Sequence, residues 1–148
     1  MALAVITGAG APGGIGMACA RALGQAGFDL AITATTGRIE ARRAELMAEG
    51  FAVTAFQGDL TEPATVARLY DLTGPADVLV NNAGMGSVLA PAEQSAFVDM
   101  TPDQWRRAMD VSLTTAVLVT QACLPSMLLQ PLVENAIKYA VSPQEEGA

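Results

Sequence analysis

A doubly wound α/β fold with a parallel sheet is predicted, and three observations predict it. Short apolar runs alternate along the chain with stretches of helical spacing. The first run, Leu3-Ala4-Val5-Ile6, leads into Thr7-Gly8-Ala9-Gly10-Ala11-Pro12-Gly13-Gly14-Ile15-Gly16, a glycine-rich turn that opens a helix. The chain has 148 residues, 51% apolar and only 5% aromatic, so one domain packed by Ala, Val and Leu in tight layers is expected.

Each element has its own signal. The first strand covers residues 3–7, and the first helix runs from Gly14 to Gly27, a natural end for a helix. A second strand at 29–35 is followed by a helix at 39–49 that Gly50 closes. The third strand, 52–57, leads to Gly58-Asp59-Leu60; Thr61 is expected to cap the next helix, with Pro63 in its first turn and its end near Leu72. Residues 77–81 read as a fourth, fully buried strand, and residues 85–100 as a loop or lid. Thr101-Pro102-Asp103-Gln104 is a capping box that opens one long helix toward Leu124. No internal repeat or low-complexity tract is visible.

Composition excludes several functions. A net charge of −7 argues against a nucleic-acid partner held through its phosphates. The chain has no histidine, which removes Ser-His-Asp, Cys-His and His-metal sites together, and Cys19 and Cys123 lack metal-ligand spacing. No metal site is expected. The two cysteines read as buried free thiols of a cytoplasmic protein. No basic leader precedes residues 3–6, so they read as a strand and not as a signal peptide. Residues 111–133 carry no charge and are long enough to span a bilayer, but Ser112, Thr114, Thr115, Gln121 and Gln130 interrupt them, as do Pro125 and Pro131. A helix buried against the sheet or a partner subunit is expected there, not a membrane span.

The glycine-rich turn is the motif with the clearest chemistry. Glycines let the backbone approach a pyrophosphate, and the helix start offers unpaired N–H groups and a positive dipole end. Further motifs follow in order. Asp59-Leu60 ends the third strand, Asn81-Asn82-Ala83-Gly84 ends the fourth, and Trp105-Arg106-Arg107-Ala108-Met109-Asp110-Val111-Ser112-Leu113 lies on the long helix.

With these motifs, residues 1–128 resemble the classical short-chain dehydrogenases/reductases. Thr7-Gly8 and Gly14-Ile15-Gly16 resemble that family's TGxxxGxG, with two extra residues in the loop. Asp59-Leu60 stands where the family contacts the adenine ring. Asn81 to Gly84 matches the NNAG motif, and Trp105 to Leu113 resembles W-x-x-x-x-D-V-N-L with Ser112 at the asparagine position. The resemblance implies a Rossmann-like sheet, truncated after about the fourth strand and the following long helix. It also implies an NAD(P)-dependent oxidoreductase, closest to a 3-oxoacyl-acyl-carrier-protein reductase. Cofactor contacts would fall to Gly8, Gly14, Ile15, Gly16, Thr35, Arg38, Asp59, Leu60, Asn81, Ala83 and Gly84.

Charge at the end of the second strand points to NADP(H) over NAD(H). NAD sites place a carboxylate there for the ribose 2′-hydroxyl. No acid lies between Asp29 and Glu40, and Arg38 is available for a 2′-phosphate with Thr35 or Thr36 beside it.

The catalytic half of the resemblance is missing. The family uses a tyrosine acid/base and a lysine four residues later. The single lysine, Lys138, is preceded at that distance by Glu134, while Tyr70 and Tyr139 are followed at that distance by Gly74 and Pro143. The serine, strands and substrate loop expected after Met127 are absent as well. The chain therefore reads either as a catalytically incomplete dehydrogenase or as a binding or oligomerising module that takes up NADP(H) without turnover.

Residues 129–148 read as a helical tail of different origin. Leu129 to Ala140 resembles the N box of sensor histidine kinases, in which Glu134 and Asn135 would line an ATP site with magnesium. The other kinase motifs are absent, so an amphipathic helix packing Leu132, Val133, Ala136, Ile137 and Ala140 inward is the simpler expectation. A rearranged, chimeric sequence would explain both resemblances. Self-association through the uncharged long helix or an open sheet edge is the partner reading that remains.

Overall fold

Largely apolar strands need cover on both faces, and parallel pairing with helical crossovers supplies it. The computed structural model describes residues 2–84 and 97–124. Within them β1 (Leu3–Ile6), β2 (Asp29–Ala34), β3 (Val53–Gln57) and β4 (Val78–Val80) form one sheet in the order β3-β2-β1-β4. Every pairing is parallel, with Val5 beside Ala31 on one side and Leu79 on the other.

One face is covered by α1 (Ile15–Gln25) and α2 (Arg38–Ala48). Met17, Ala20, Ile39 and Leu46 pack there with Ile6 and Ile32, all fully buried. The other face is covered by α3 (Pro63–Thr73), which supplies Val66 and Leu69, and by Val119 and Cys123 of the helix that precedes Leu124. Each such large aliphatic side chain contributes about 1.5–3 kcal/mol on burial. The fold is thus the expected doubly wound, Rossmann-like α/β sheet. Gly27 (φ 92°) and Gly50 (φ 94°) stand just past the ends of α1 and α2, as the sequence suggests.

Four local expectations are corrected. The long helix is not continuous. It consists of α4 (Pro102–Met109), a π-helical segment (Asp110–Thr114) and α5 (Thr115–Cys123). Two hydroxyls account for the interruption. Thr115 Oγ1 donates to the Asp110 carbonyl at 3.0 Å, and Thr114 Oγ1 donates to Asp110 Oδ1 at 3.1 Å. The capping box is present as read: Gln104 N–H donates to Thr101 Oγ1 (3.3 Å) and Thr101 N–H to Gln104 Oε1 (2.8 Å). At the far end Leu124 is extended (φ −91°, ψ 139°), the conformation that the following Pro125 favours.

The cap of α3 is Glu62 and not Thr61, because the Thr61 N–H and Oγ1 both bond to Asp59 Oδ1. The fourth strand is half-buried where full burial was expected: β1 is its one partner among the described residues. Cys19 is half-buried, and only Cys123 is buried outright. Residues 85–96 of the expected loop and the whole tail at 129–148 lie outside the described residues. Among the described residues no helix is long and apolar enough to cross a membrane.

Candidate functional site

The strand order reverses at β1, which lies between β2 and β4. Open α/β sheets bind ligands at the carboxyl end of the strands beside such a reversal. Here that position is filled by the glycine-rich turn and the segment after β4.

Turn and segment lie in van der Waals contact. Gly8 has φ 71°, and a Cβ on it would stand 2.8 Å from Ala83 Cα and 2.9 Å from the Asn82 carbonyl oxygen. A Cβ on Gly16 would stand 2.9 Å from Ala9 Cα, from the Gly8 oxygen and from Asn82 Nδ2. Only glycine fits either position.

Hydrogen bonds hold this approach in place. Thr7 Oγ1 accepts from the N–H groups of Asn82 and Ala83, both at 3.0 Å, and donates to the Val80 oxygen at 3.3 Å. Asn82 Nδ2 also donates to the carbonyls of Thr7 (3.2 Å) and Gly8 (3.0 Å). On the other side the Ala9 N–H donates to the Thr33 oxygen at 2.8 Å. Thr7 and Asn82 were not among the residues expected in the site. Both lie inside the motifs that were singled out, but the sequence does not say that they bond to each other.

The start of α1 opens beside this clamp. Its N-cap, Gly14, supplies no side-chain bond, and its first turn carries no acid. The first-turn N–H groups of Ile15, Gly16 and Met17 have no intrahelical partner by construction. An uncapped helix start with exposed backbone favours an anion. Ile15 leaves its side chain in solvent.

The remaining candidates lie along the same edge of the sheet. Thr35, Thr36 and Arg38 follow β2 and are exposed, with Arg38 Nε donating to Thr36 Oγ1 at 3.2 Å. Asp59 is exposed after β3, with Oδ1 engaged by Thr61 as described. Leu60 turns into the core with Val66 and Leu69, so its backbone is what it leaves for the site. Asn81 is exposed and donates from Nδ2 to Thr120 Oγ1 of α5 at 2.9 Å, which ties the segment to that helix. Gly84 is exposed with open space around it. Ser112 is exposed in the π segment, and no hydrogen bond links it to the turn.

An open cavity of about 320 Å³ lies between the Asp59–Thr61 loop and Arg106, Asp110 and Val111. Among the described residues no group of three or more His, Cys, Asp or Glu could hold a metal ion.

A model of the short chain dehydrogenase family matches residues 2–133. The chain belongs to that family. Among its relatives, 1-deoxy-11-beta-hydroxypentalenate dehydrogenase of Streptomyces arenae is 38% identical over 130 residues, which are 84% of this chain and 44% of the relative. The chain thus spans about half the length of the curated relatives it matches. A metagenomic short-chain oxidoreductase solved with NADP superposes with a TM-score of 0.73 at 31% identity, covering 87% of this chain and 57% of that one. A 3-oxoacyl-[acyl-carrier protein] reductase from Brucella melitensis, solved with NAD, gives a TM-score of 0.69 at 41% identity, covering 86% and 49%. The kinase-like stretch at 129–140 lies outside the described residues, and residues 129–133 of it fall within the short-chain dehydrogenase match.

Proposed function

We propose that this chain forms the cofactor-binding half of an NAD(P)-dependent oxidoreductase of the 3-oxoacyl-acyl-carrier-protein-reductase kind, with NADP(H) favoured over NAD(H). One observation carries the reading. The glycine turn is pinned against Asn82 and Ala83 at the strand reversal, with an uncapped, acid-free helix start beside it. The cradle is one that a Cβ would fill, so it suits the close approach of a pyrophosphate.

When bound, the dinucleotide supplies or accepts the hydride exchanged with a carbonyl or alcohol. Gly8, Gly14, Ile15 and Gly16 offer backbone to the pyrophosphate. Arg38, with Thr35 and Thr36, pairs with a 2′-phosphate. Asp59 and the Leu60 backbone face the adenine, and Asn81, Ala83 and Gly84 form the wall beside β4. Related proteins have been solved with either cofactor, so the preference for NADP(H) rests on the charge around Arg38.

No Tyr-xxx-Lys pair occurs in the 148 residues. We therefore propose that these residues bind cofactor without turnover, with the tail beyond the family match packing to cover surface. Leu113 and Val117 are 53% and 46% exposed and four residues apart, which suits contact with a second copy. A cytoplasmic setting belongs to the same reading, from two cysteines that are free thiols.

Calorimetric titration with NADPH, NADH and Mg-ATP tests this. Saturable NADPH binding about tenfold tighter than NADH is expected, as for one charge-assisted pair, and no response to Mg-ATP. Failure to bind either dinucleotide overturns the reading. Magnesium-dependent ATP binding lost in Asn135→Ala would favour the kinase-like tail. No NADPH oxidation is expected with 3-oxoacyl or ketone substrates; steady oxidation that vanishes in Gly14→Asp would show an acid in a place not foreseen.

A further inference from the structure

Among the described residues the sheet ends on β3 and β4, and the two ends differ. β4 has three residues. β3 has five and lies in the run Phe51-Ala52-Val53-Thr54-Ala55-Phe56-Gln57, which carries no charge and no proline. Valine, threonine and phenylalanine favour extended backbone, and a run of this length and composition at an open edge is prone to pair with another chain. Nothing in the strand itself opposes that: its register against β2 is continuous from Val53 to Gln57, with no bulge.

The register fixes which groups face outward. The Leu30 N–H donates to the Ala52 oxygen and the Gly58 N–H to the Ala34 oxygen, so the even-numbered residues are the ones that bond to β2. Val53, Ala55 and Gln57 therefore turn their N–H and C=O groups away from β2, toward the open edge. The first of these carbonyls is occupied. Arg43 reaches over from α2, and its Nε donates to Val53 O at 3.2 Å, with Nη1 3.5 Å from Glu40 Oε2. The guanidinium offers donors only, and it sets a fixed positive charge on an otherwise uncharged strand.

We propose that Arg43 guards the β3 edge, and that without it this edge pairs with the same edge of a second copy of the chain. The edge fits itself. Antiparallel pairing about Ala55 sets Val53 of each copy against Gln57 of the other, with Ala55 against Ala55. Arg43 withdraws the Val53 acceptor in each copy, which spoils both outer pairs and leaves only the central one. Pairing would also have to strip water from a cation at each end of the contact. Neither the glycine turn nor Arg38 takes part, so the guard stands or falls separately from the dinucleotide reading.

Sedimentation velocity over a range of concentrations, with amide exchange followed residue by residue, tests this in Arg43→Ala. The Arg43 side chain is 44% exposed, so the variant should fold, and its urea midpoint checks that. Arg43→Met, which keeps the aliphatic stem over the strand, carries the same expectation if alanine loosens α2. Association beyond the parent's state is expected at a concentration about tenfold lower, the worth of one charge-assisted hydrogen bond. It should occur although loss of a cation adds to a net charge of −7. New protection should appear at the Ala55 and Gln57 N–H groups. Arg68→Ala removes the same charge from α3 and should leave the parent's size unchanged. Combining Arg43→Ala with Thr54→Lys returns a charge to the exposed face of the strand without restoring the Val53 bond. The parent's size should return, which a mere loss of stability would not allow. A folded Arg43→Ala of unchanged size overturns the guard, as does association that protects Val78 to Val80 or α5 instead. Ala55 and Gln57 amides already protected in the parent would overturn it too, because the edge would then be covered.

Discussion

At the β1–β4 end of the candidate site the surface is crowded backbone, whereas at the β2 end it is made of exposed side chains. At the first end Gly8 meets Ala83 and Asn82, and Gly16 meets Ala9 and Asn82, with no room for an added carbon, while Asn82 donates to Thr7 from both its backbone N–H and its side chain. Thr35, Thr36 and Arg38 stand in solvent with one side-chain hydrogen bond between Arg38 and Thr36. The first end is fixed by packing, and in the proposed reading it holds what any dinucleotide shares. The second can change its charge without disturbing the core. In the proposed reading the two tasks lie on separate strands, and cofactor choice can then change without loss of stability.

Substitutions should separate the two ends, and the largest effect belongs to the crowded one. Gly8→Ala places a Cβ on a left-handed residue and drives it into Ala83 and Asn82. A loss of roughly 3 kcal/mol or more is expected from the strain and the overlap together, read as a lower urea midpoint. A Gly8→Ala protein with an unchanged midpoint would mean that the turn is not pinned.

Next comes Asn82→Ala. It strips the Thr7 and Gly8 carbonyls of their side-chain donor, at a cost of about 1–3 kcal/mol. NADPH and NADH affinities should fall together, because the clamp shapes what the two cofactors share. A selective loss of one of them would contradict the division of labour.

Arg38→Ala should do the reverse. Thermal stability should stay within about 0.5 kcal/mol, as for an exposed side chain, while NADPH affinity falls about tenfold and NADH affinity does not. Equal affinities in the unaltered chain would remove the case for a 2′-phosphate partner.

The smallest effect concerns the two thiols. Burial pushes the Cys123 pKa up, since desolvation disfavours the thiolate. A raised native pKa means that stability is fully present below the ordinary thiol pKa and is lost as the pH rises through it toward the raised value. Cys19, half-buried on α1, should be alkylated by iodoacetamide well before Cys123 in the native protein. Equal rates at both would show that the α5 side of the core opens readily.

The sheet was legible because its strands are short apolar runs separated by glycine or a capping residue, as at Gly27 and Gly50. The glycine turn was legible because a strand, a turn and a helix start occur in sequence order. Three features were hidden. Asn82 and Thr7 bond across most of the described fold, and no local pattern records a pairing of that range. The break at Asp110 depends on where two threonine hydroxyls turn, which helical spacing does not encode. Thr61 looks like a cap, yet Asp59 claims its donors first.

That distance between Thr7 and Asn82 has a consequence in time. The β1-α1-β2 unit closes through contacts between residues near in sequence, but the clamp joins positions 75 residues apart. Long-range closures form late, because the entropy of the intervening chain is spent before they return anything. During synthesis the glycine turn therefore emerges and folds early without its counterpart. Phosphate-binding geometry is expected only once β4 has docked beside β1, so the capacity to hold a dinucleotide would report that β4 is in place.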